Sequence, residues 1–352
     1  MEGSKILKIG ELTARRPIIQ GGMGVGISLS GLASAVAREG GVGVISAAQP
    51  GFREPDFGTD TLGANLRALE REIRTAKDRA QGGIIGVNIM CAMNHYEELV
   101  RCSVRSGADL IISGAGLPVD LPRYVEGSDV KIAPIVSPPK AAKVILKHWD
   151  RHYHRTADLV VIEGPKAGGH LGYSPEEIQA YEDTGYDEKI REILDIVREY
   201  EDRYGRHIPV VFGGGVYDRS DIEHYIELGC DGVQIATRFV ATYECDADEA
   251  FKKAYIEAGR EDVTIVKSPV GMPGRAIRNH FLEEREKGRE QVKRCYGCLR
   301  KCDMSTTPYC ITTALVRAAE GDVDDALLFC GENVWRVDRM MSVAELMKEL
   351  WD

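Results

Sequence analysis

Short, unbroken apolar runs alternate with longer amphipathic stretches along most of this chain. The runs are PIIQGGM (17–23), VGVISA (42–47), IIGVNIM (84–90), LIISGAG (110–116), KIAPIVS (131–137), LVVIEG (159–164), PVVFGGG (209–215) and GVQIATRF (232–239). Hydrophobicity that is continuous rather than alternating marks strands buried on both faces, as in a parallel sheet. Between them, GLASAVAREG, GANLRALEREIRTAKDRA and SDIEHYIELG carry helical spacing. Several such stretches end in glycine, which accepts the positive φ of a helix C-terminus. Eight strand–helix units predict a (β/α)8 TIM barrel over residues 1–260. An open doubly wound sheet would share the local pattern, but no G-x-G-x-x-G turn is well placed: Gly22-Met-Gly24-Val-Gly26 lacks the spacing.

Two stretches break the rhythm. Residues 165–186, after the sixth run, and 260–310 are polar and rich in Gly, Pro or charge, and read as loops and lids. The remainder, ITTALVRAAEGDVDDALLFCG and SVAELMKELWD, has helical periodicity. Residues 261–352 are therefore expected to form a helical, cysteine-containing extension packed on the barrel.

Composition narrows the function classes. The 352 residues are 43% hydrophobic and 28% charged, with a net charge of −10, enough apolar surface for a large core. Dispersed acidic charge argues against nucleic-acid or membrane-surface partners. No apolar run reaches a membrane span and the first residues show no secretory pattern. With nine cysteines and no signal, a reducing cytoplasm is the expected location.

In such barrels chemistry collects where the strands end. These ends carry Gln20-Gly21-Gly22-Met23, Asn88, Gly114, Ser137, Glu163, Gly213-Gly214-Gly215 and Gln234-Ile-Ala236-Thr237. Bare glycine backbone after the seventh strand, with Thr237 after the eighth, suits a phosphate-bearing ligand. His170 follows Gly168-Gly169 just past the sixth strand, and an imidazole there can take or give a proton near neutrality. Glu163, at a buried strand end, suits cofactor binding or the orientation of neighbours.

PIIQGGMGVGIS, GVNIM, EGPKAGGHLGY and PVVFGGGVYDRSDIEHYIELGCDGVQIATRF, in that order, resemble the FMN-dependent nitronate monooxygenases (2-nitropropane dioxygenases) and their siblings, the FMN-dependent enoyl-[acyl-carrier-protein] reductases. The resemblance implies an FMN oxidoreductase. Gly22 and Met23 would lie against the isoalloxazine ring, with Gln20 nearby and Asn88 at its polar edge. Gly169 would touch the cofactor, and Gly214, Gly215, Ala236 and Thr237 would hold its phosphate. His170 would be the base or substrate-positioning group. A nitronate substrate would be oxidised with dioxygen to a carbonyl compound and nitrite; an enoyl thioester would be reduced by NAD(P)H through the flavin. A third expectation is a flavin-binding scaffold or electron-transfer partner without its own catalysis. Lys166 stands where the family often carries an acid, and Ala236 where glycine is common.

Cys295-x2-Cys298-x3-Cys302-x7-Cys310 places four thiols in sixteen residues, flanked by Lys293, Arg294, Arg300 and Lys301. That spacing suits an iron–sulfur cluster or zinc, or reduced thiols that pack a small subdomain. The best-known members of the resembled family lack it.

Overall fold

The computed structural model describes residues 5–352. Eight parallel strands close into a barrel: Ile18–Gln20, Val42–Ser46, Ile84–Met90, Leu110–Gly114, Lys131–Val136, Val160–Glu163, Val210–Gly213 and Gly232–Ile235. All eight predicted runs supply one strand each. All but the third stop short of their expected ends, the first and last by three and four residues at Gln20 and Ile235, because the chain turns there into the loops of the mouth.

Closure puts the eighth strand between the seventh and the first. Glu163 pairs with Gly213, Gly213 with Gln234, and Gln20 with Ile235, so these strand ends share one rim. Alternate side chains part into two cores. Ile19, Val42, Val44, Leu110, Ile112 and Val161 fill the barrel, whereas Ile45, Ile85, Val87, Ile111 and Ile162 face the helices outside.

An antiparallel hairpin absent from the expectations, Leu7–Ile9 with Leu12–Ala14, stoppers the other end. Leu7 and Ile9 are fully buried among the inward barrel residues. Lys5 Nζ donates to the Cys230 carbonyl and Lys131 Nζ meets Glu11 at 2.5 Å, which fastens the hairpin to the strand starts.

The two expected loops are partly ordered elements. Residues 165–186 hold a short strand, Gly169–His170, and a helix, Pro175–Thr184, started by a capping box of Ser174 and Glu177. Residues 260–310 hold a hairpin, Val263–Lys267 with Pro273–Ile277, and a helix, His280–Lys287. The second hairpin strand pairs antiparallel with Gly169–His170. The extension is thus welded to the loop that follows the sixth strand.

In the remainder Ile311–Ala319 and Val343–Trp351 are α-helical, with one 3-10 turn at Val334–Arg336 between them. Residues 320–331, whose periodicity predicts a continued helix, instead run without helix past the mouth of the barrel. Met341, Val343, Leu346, Met347 and Leu350 then bury against the barrel's helices.

Candidate active site

A cavity of about 250 Å³ opens at the C-terminal ends of the strands. Gly22, Met23, Asn88, Glu163, Gly169, His170, Gly214, Gly215, Gln234, Ala236 and Thr237 all line it. Gln20 does not. Its side-chain Oε1 accepts from Val44 N at 2.9 Å and its amide nitrogen donates to the Gly21 carbonyl. Full burial with both amide ends engaged leaves it to brace the rim from below.

The floor requires bare backbone. A Cβ on Gly22 would lie 2.4 Å from Asn88 Cβ. Gly169 differs, because its φ is +69° and a Cβ there would meet nothing within 4 Å, so this backbone faces open cavity. Gly214 and Gly215 also have positive φ, and the side chain of Lys166 runs along Gly215: a Cβ there would sit 2.9 Å from Lys166 Cβ and 3.1 Å from its Cδ.

One buried side-chain atom in the lining has no partner among the described residues. Gln234 Oε1 is buried without a hydrogen bond among the described residues. A buried acceptor left unpaired costs about 1–3 kcal/mol, so a donor on a bound ligand fits here. A flat ring system with N–H groups and a phosphate tail suits both this atom and the glycine turn.

His170 projects from its short strand into the cavity. Its Nε2 lies 2.7 Å from Ser268 Oγ, and its ring meets Phe329 edge-on at 4.9 Å between centroids. Ser268 Oγ also accepts from Val270 N at 3.3 Å. Burial pushes the imidazole pKa from 6.5 down to about 4, so the ring is neutral at physiological pH. Glu163 is held differently. Its Oε2 accepts from Ser137 Oγ and Gly172 N, both at 2.8 Å, while burial pushes its pKa up against those two bonds.

Residues with no local sequence signal complete the site. Arg275, 2% exposed, meets Glu332 at 2.9 Å through Nε and donates through Nη1 to the carbonyls of Pro165 and Ala167. It thereby ties the loop after the sixth strand to the tail. That tail brings Phe329 to Asn333 to the cavity wall. Gly331 N donates to Thr237 Oγ1 at 3.2 Å, Asn333 Nδ2 to the Gly215 carbonyl at 2.6 Å, and Glu332 N to the Lys166 carbonyl at 3.2 Å.

The cysteine segment borders the same mouth. Leu299 bridges to Met93, which lines the cavity, and Arg300 Nε donates to the Met93 carbonyl at 3.0 Å. Gly297 N donates to Cys295 Sγ at 3.3 Å. Cys295 is exposed, while Cys298, Cys302 and Cys310 are half-buried. Among the described residues, no group of three or more His, Cys, Asp or Glu side chains is placed to hold a metal ion. No helix of the described residues is long and apolar enough to cross a membrane.

Comparison with known proteins adds context to this geometry. The sequence model of the family described as nitronate monooxygenase matches residues 5–352. The chain is 27% identical, over 77% of its length, to the (3aS,4S,5R,7aS)-5-hydroxy-7a-methyl-1-oxo-octahydro-1H-indene-4-carboxyl-CoA dehydrogenase of Mycobacterium tuberculosis, and spans 66% of that protein. It is 22% identical to a probable nitronate monooxygenase of Bacillus subtilis, with 95% of each chain covered. In fold it is similar to FabK from Thermotoga maritima, with a TM-score of 0.71, 22% identity, and 95% of this chain and 91% of that one covered. It is also similar to nitroalkane oxidase from Streptomyces ansochromogenes, with a TM-score of 0.70, 19% identity and coverages of 95% and 94%.

Proposed function

Because the chain belongs to the nitronate monooxygenase family, we propose that it is an FMN-dependent oxidoreductase that oxidises alkyl nitronates with dioxygen to a carbonyl compound and nitrite. The observation that carries this reading is the cavity's polarity. Its lining combines the Gly214-Gly215 turn, the unpaired Gln234 Oε1 and a neutral His170. FMN, when bound, supplies the electron transfer; the chain supplies position and electrostatics.

Gly214, Gly215, Ala236 and Thr237 hold the phosphate. Gly22, Met23 and Gly169 admit the ring, and Asn88 and Gln234 meet its polar edge. His170 holds the substrate. A ring that keeps a proton only below about pH 4 accepts one poorly from carbon, but donates an N–H well to an anionic nitro oxygen. The site therefore suits a preformed nitronate better than the neutral nitroalkane. Ser137 and Gly172 fix Glu163 beneath the loop that carries the histidine.

Anaerobic mixing with NADH, NADPH and a nitronate, followed by flavin absorbance, tests this reading. Bleaching by the nitronate is expected. Bleaching by nicotinamide alone would sink it in favour of the second reading, reduction or oxidation of an acyl thioester with NAD(P)H. That alternative is favoured by an unusual rim. Lys293, Arg294, Arg300 and Lys301 are exposed, and none forms an ion pair within 4 Å among the described residues of a chain with net charge −10. Such a strip suits the phosphates of a thioester carrier, and a relative's name includes a carboxyl-CoA substrate.

A further inference from the structure

Lys166 is the only lysine or arginine among the described residues lining the cavity. The carboxylates that share the lining are engaged elsewhere: Glu332 with Arg275, and Glu163 with Ser137 and Gly172. Lys166 has no ion pair or side-chain hydrogen bond among the described residues. Its exposed side chain lies along Gly215, in the turn whose open backbone faces the cavity.

The placement is built rather than incidental. Glu332 N holds the Lys166 carbonyl, and Arg275 holds the carbonyls on either side, at Pro165 and Ala167. Three consecutive carbonyls are thus pinned on the tail side, which leaves the lysine stem free to lie over the glycine turn. A phosphate in that turn brings about two negative charges to a spot that offers, besides Lys166, backbone N–H groups and the Thr237 hydroxyl. Backbone donors orient such a group, but they do not neutralise it. A single mobile ammonium on a four-carbon stem, at the solvent edge, does.

We propose that Lys166 is the charge-neutralising ligand of the cofactor phosphate, closing over it from the loop after the sixth strand. This rests on the flavin reading above and deepens it: selection of the phosphorylated flavin over the unphosphorylated one resides largely in this side chain. Because the contact lies at the mouth, it is screened by salt, and FMN affinity falls with ionic strength.

The test compares FMN and riboflavin binding to the flavin-stripped full chain by fluorescence quenching, for wild type, Lys166→Met and Lys166→Arg. The expected result is an FMN Kd raised about 10- to 100-fold in Lys166→Met. Its riboflavin Kd should stay within about twofold of wild type, with most FMN affinity retained in Lys166→Arg. Wild-type FMN affinity should also drop between low and high salt more steeply than that of Lys166→Met. Unchanged FMN affinity in Lys166→Met overturns the assignment. Equal loss of both flavins overturns it too, since that marks a collapsed loop rather than a lost charge. If neither flavin binds the wild type, the flavin reading fails and takes the assignment with it.

Discussion

His170 Nε2 sits 2.7 Å from Ser268 Oγ, a residue 98 positions further along the chain. The contact exists because Pro273–Ile277 pairs antiparallel with Gly169–His170, which brings the hairpin's turn over the imidazole. Replacing Ser268 with Ala should leave flavin content unchanged while raising KM more than it lowers kcat, by about five- to thirtyfold overall, the worth of about one or two kcal/mol. Ser268→Thr, which keeps the hydroxyl, should restore most of it. Unaltered steady-state kinetics in Ser268→Ala would show that the bond does not position the ring.

Removing the imidazole itself should be far more costly. His170→Ala is expected to retain FMN and lose at least about a hundredfold in turnover. Turnover close to wild type would refute a direct role.

The same ring gives a pH signature. Its folded pKa is about 4 and the unfolded value 6.5, so the unfolded chain binds the proton first. Stability from this group is therefore full above pH 6.5, and is lost as pH falls towards 4, by roughly 3 kcal/mol at most. Urea denaturation across that window should show a slope that His170→Gln lacks. The acid limb of the activity profile should likewise lie near pH 4 rather than 6.5.

Arg275 is expected to be the most sensitive single position outside the cavity. Arg275→Met leaves Glu332 and two carbonyls without their partner, and should cost about 3–5 kcal/mol. Arg275→Lys should rescue little, because one ammonium cannot serve a carboxylate and two diverging carbonyls at once. Chemical denaturation, together with flavin release on dilution, measures both effects.

Thiol reactivity should separate the nine cysteines. Burial pushes Cys230 and Cys245 up to about 12, so they should resist alkylation in the native state. Exposed Cys295 should label first, as mass mapping after brief iodoacetamide treatment would show. Iron and zinc analysis of anaerobic preparations of wild type and Cys298→Ser measures whether Cys295, Cys298, Cys302 and Cys310, which lie near enough to interact electrostatically, take up a metal.

The barrel and much of its mouth were legible because each depended on local pattern. Continuous apolar runs announce buried parallel strands, and glycines directly after them announce backbone open to a ligand. Gln20 shows the limit of that reasoning: strand ends were readable, but not which way each side chain points. Its amide is taken up by the backbone of Val44 and Gly21 instead of the cavity. Ser268, Arg275 and Phe329 to Asn333 were illegible for a different reason. They come to the cavity or its supporting shell through antiparallel pairing and a tail that crosses about 90 to 170 residues of sequence, and neither leaves a period in the chain. An arginine in PGRAI and a glycine after LLFC were the only local hints.

The hairpin under the barrel makes the cavity a cul-de-sac. Leu7 and Ile9 stopper the lower end, so every molecule that enters must leave by the same doorway, past Met93 and the tail.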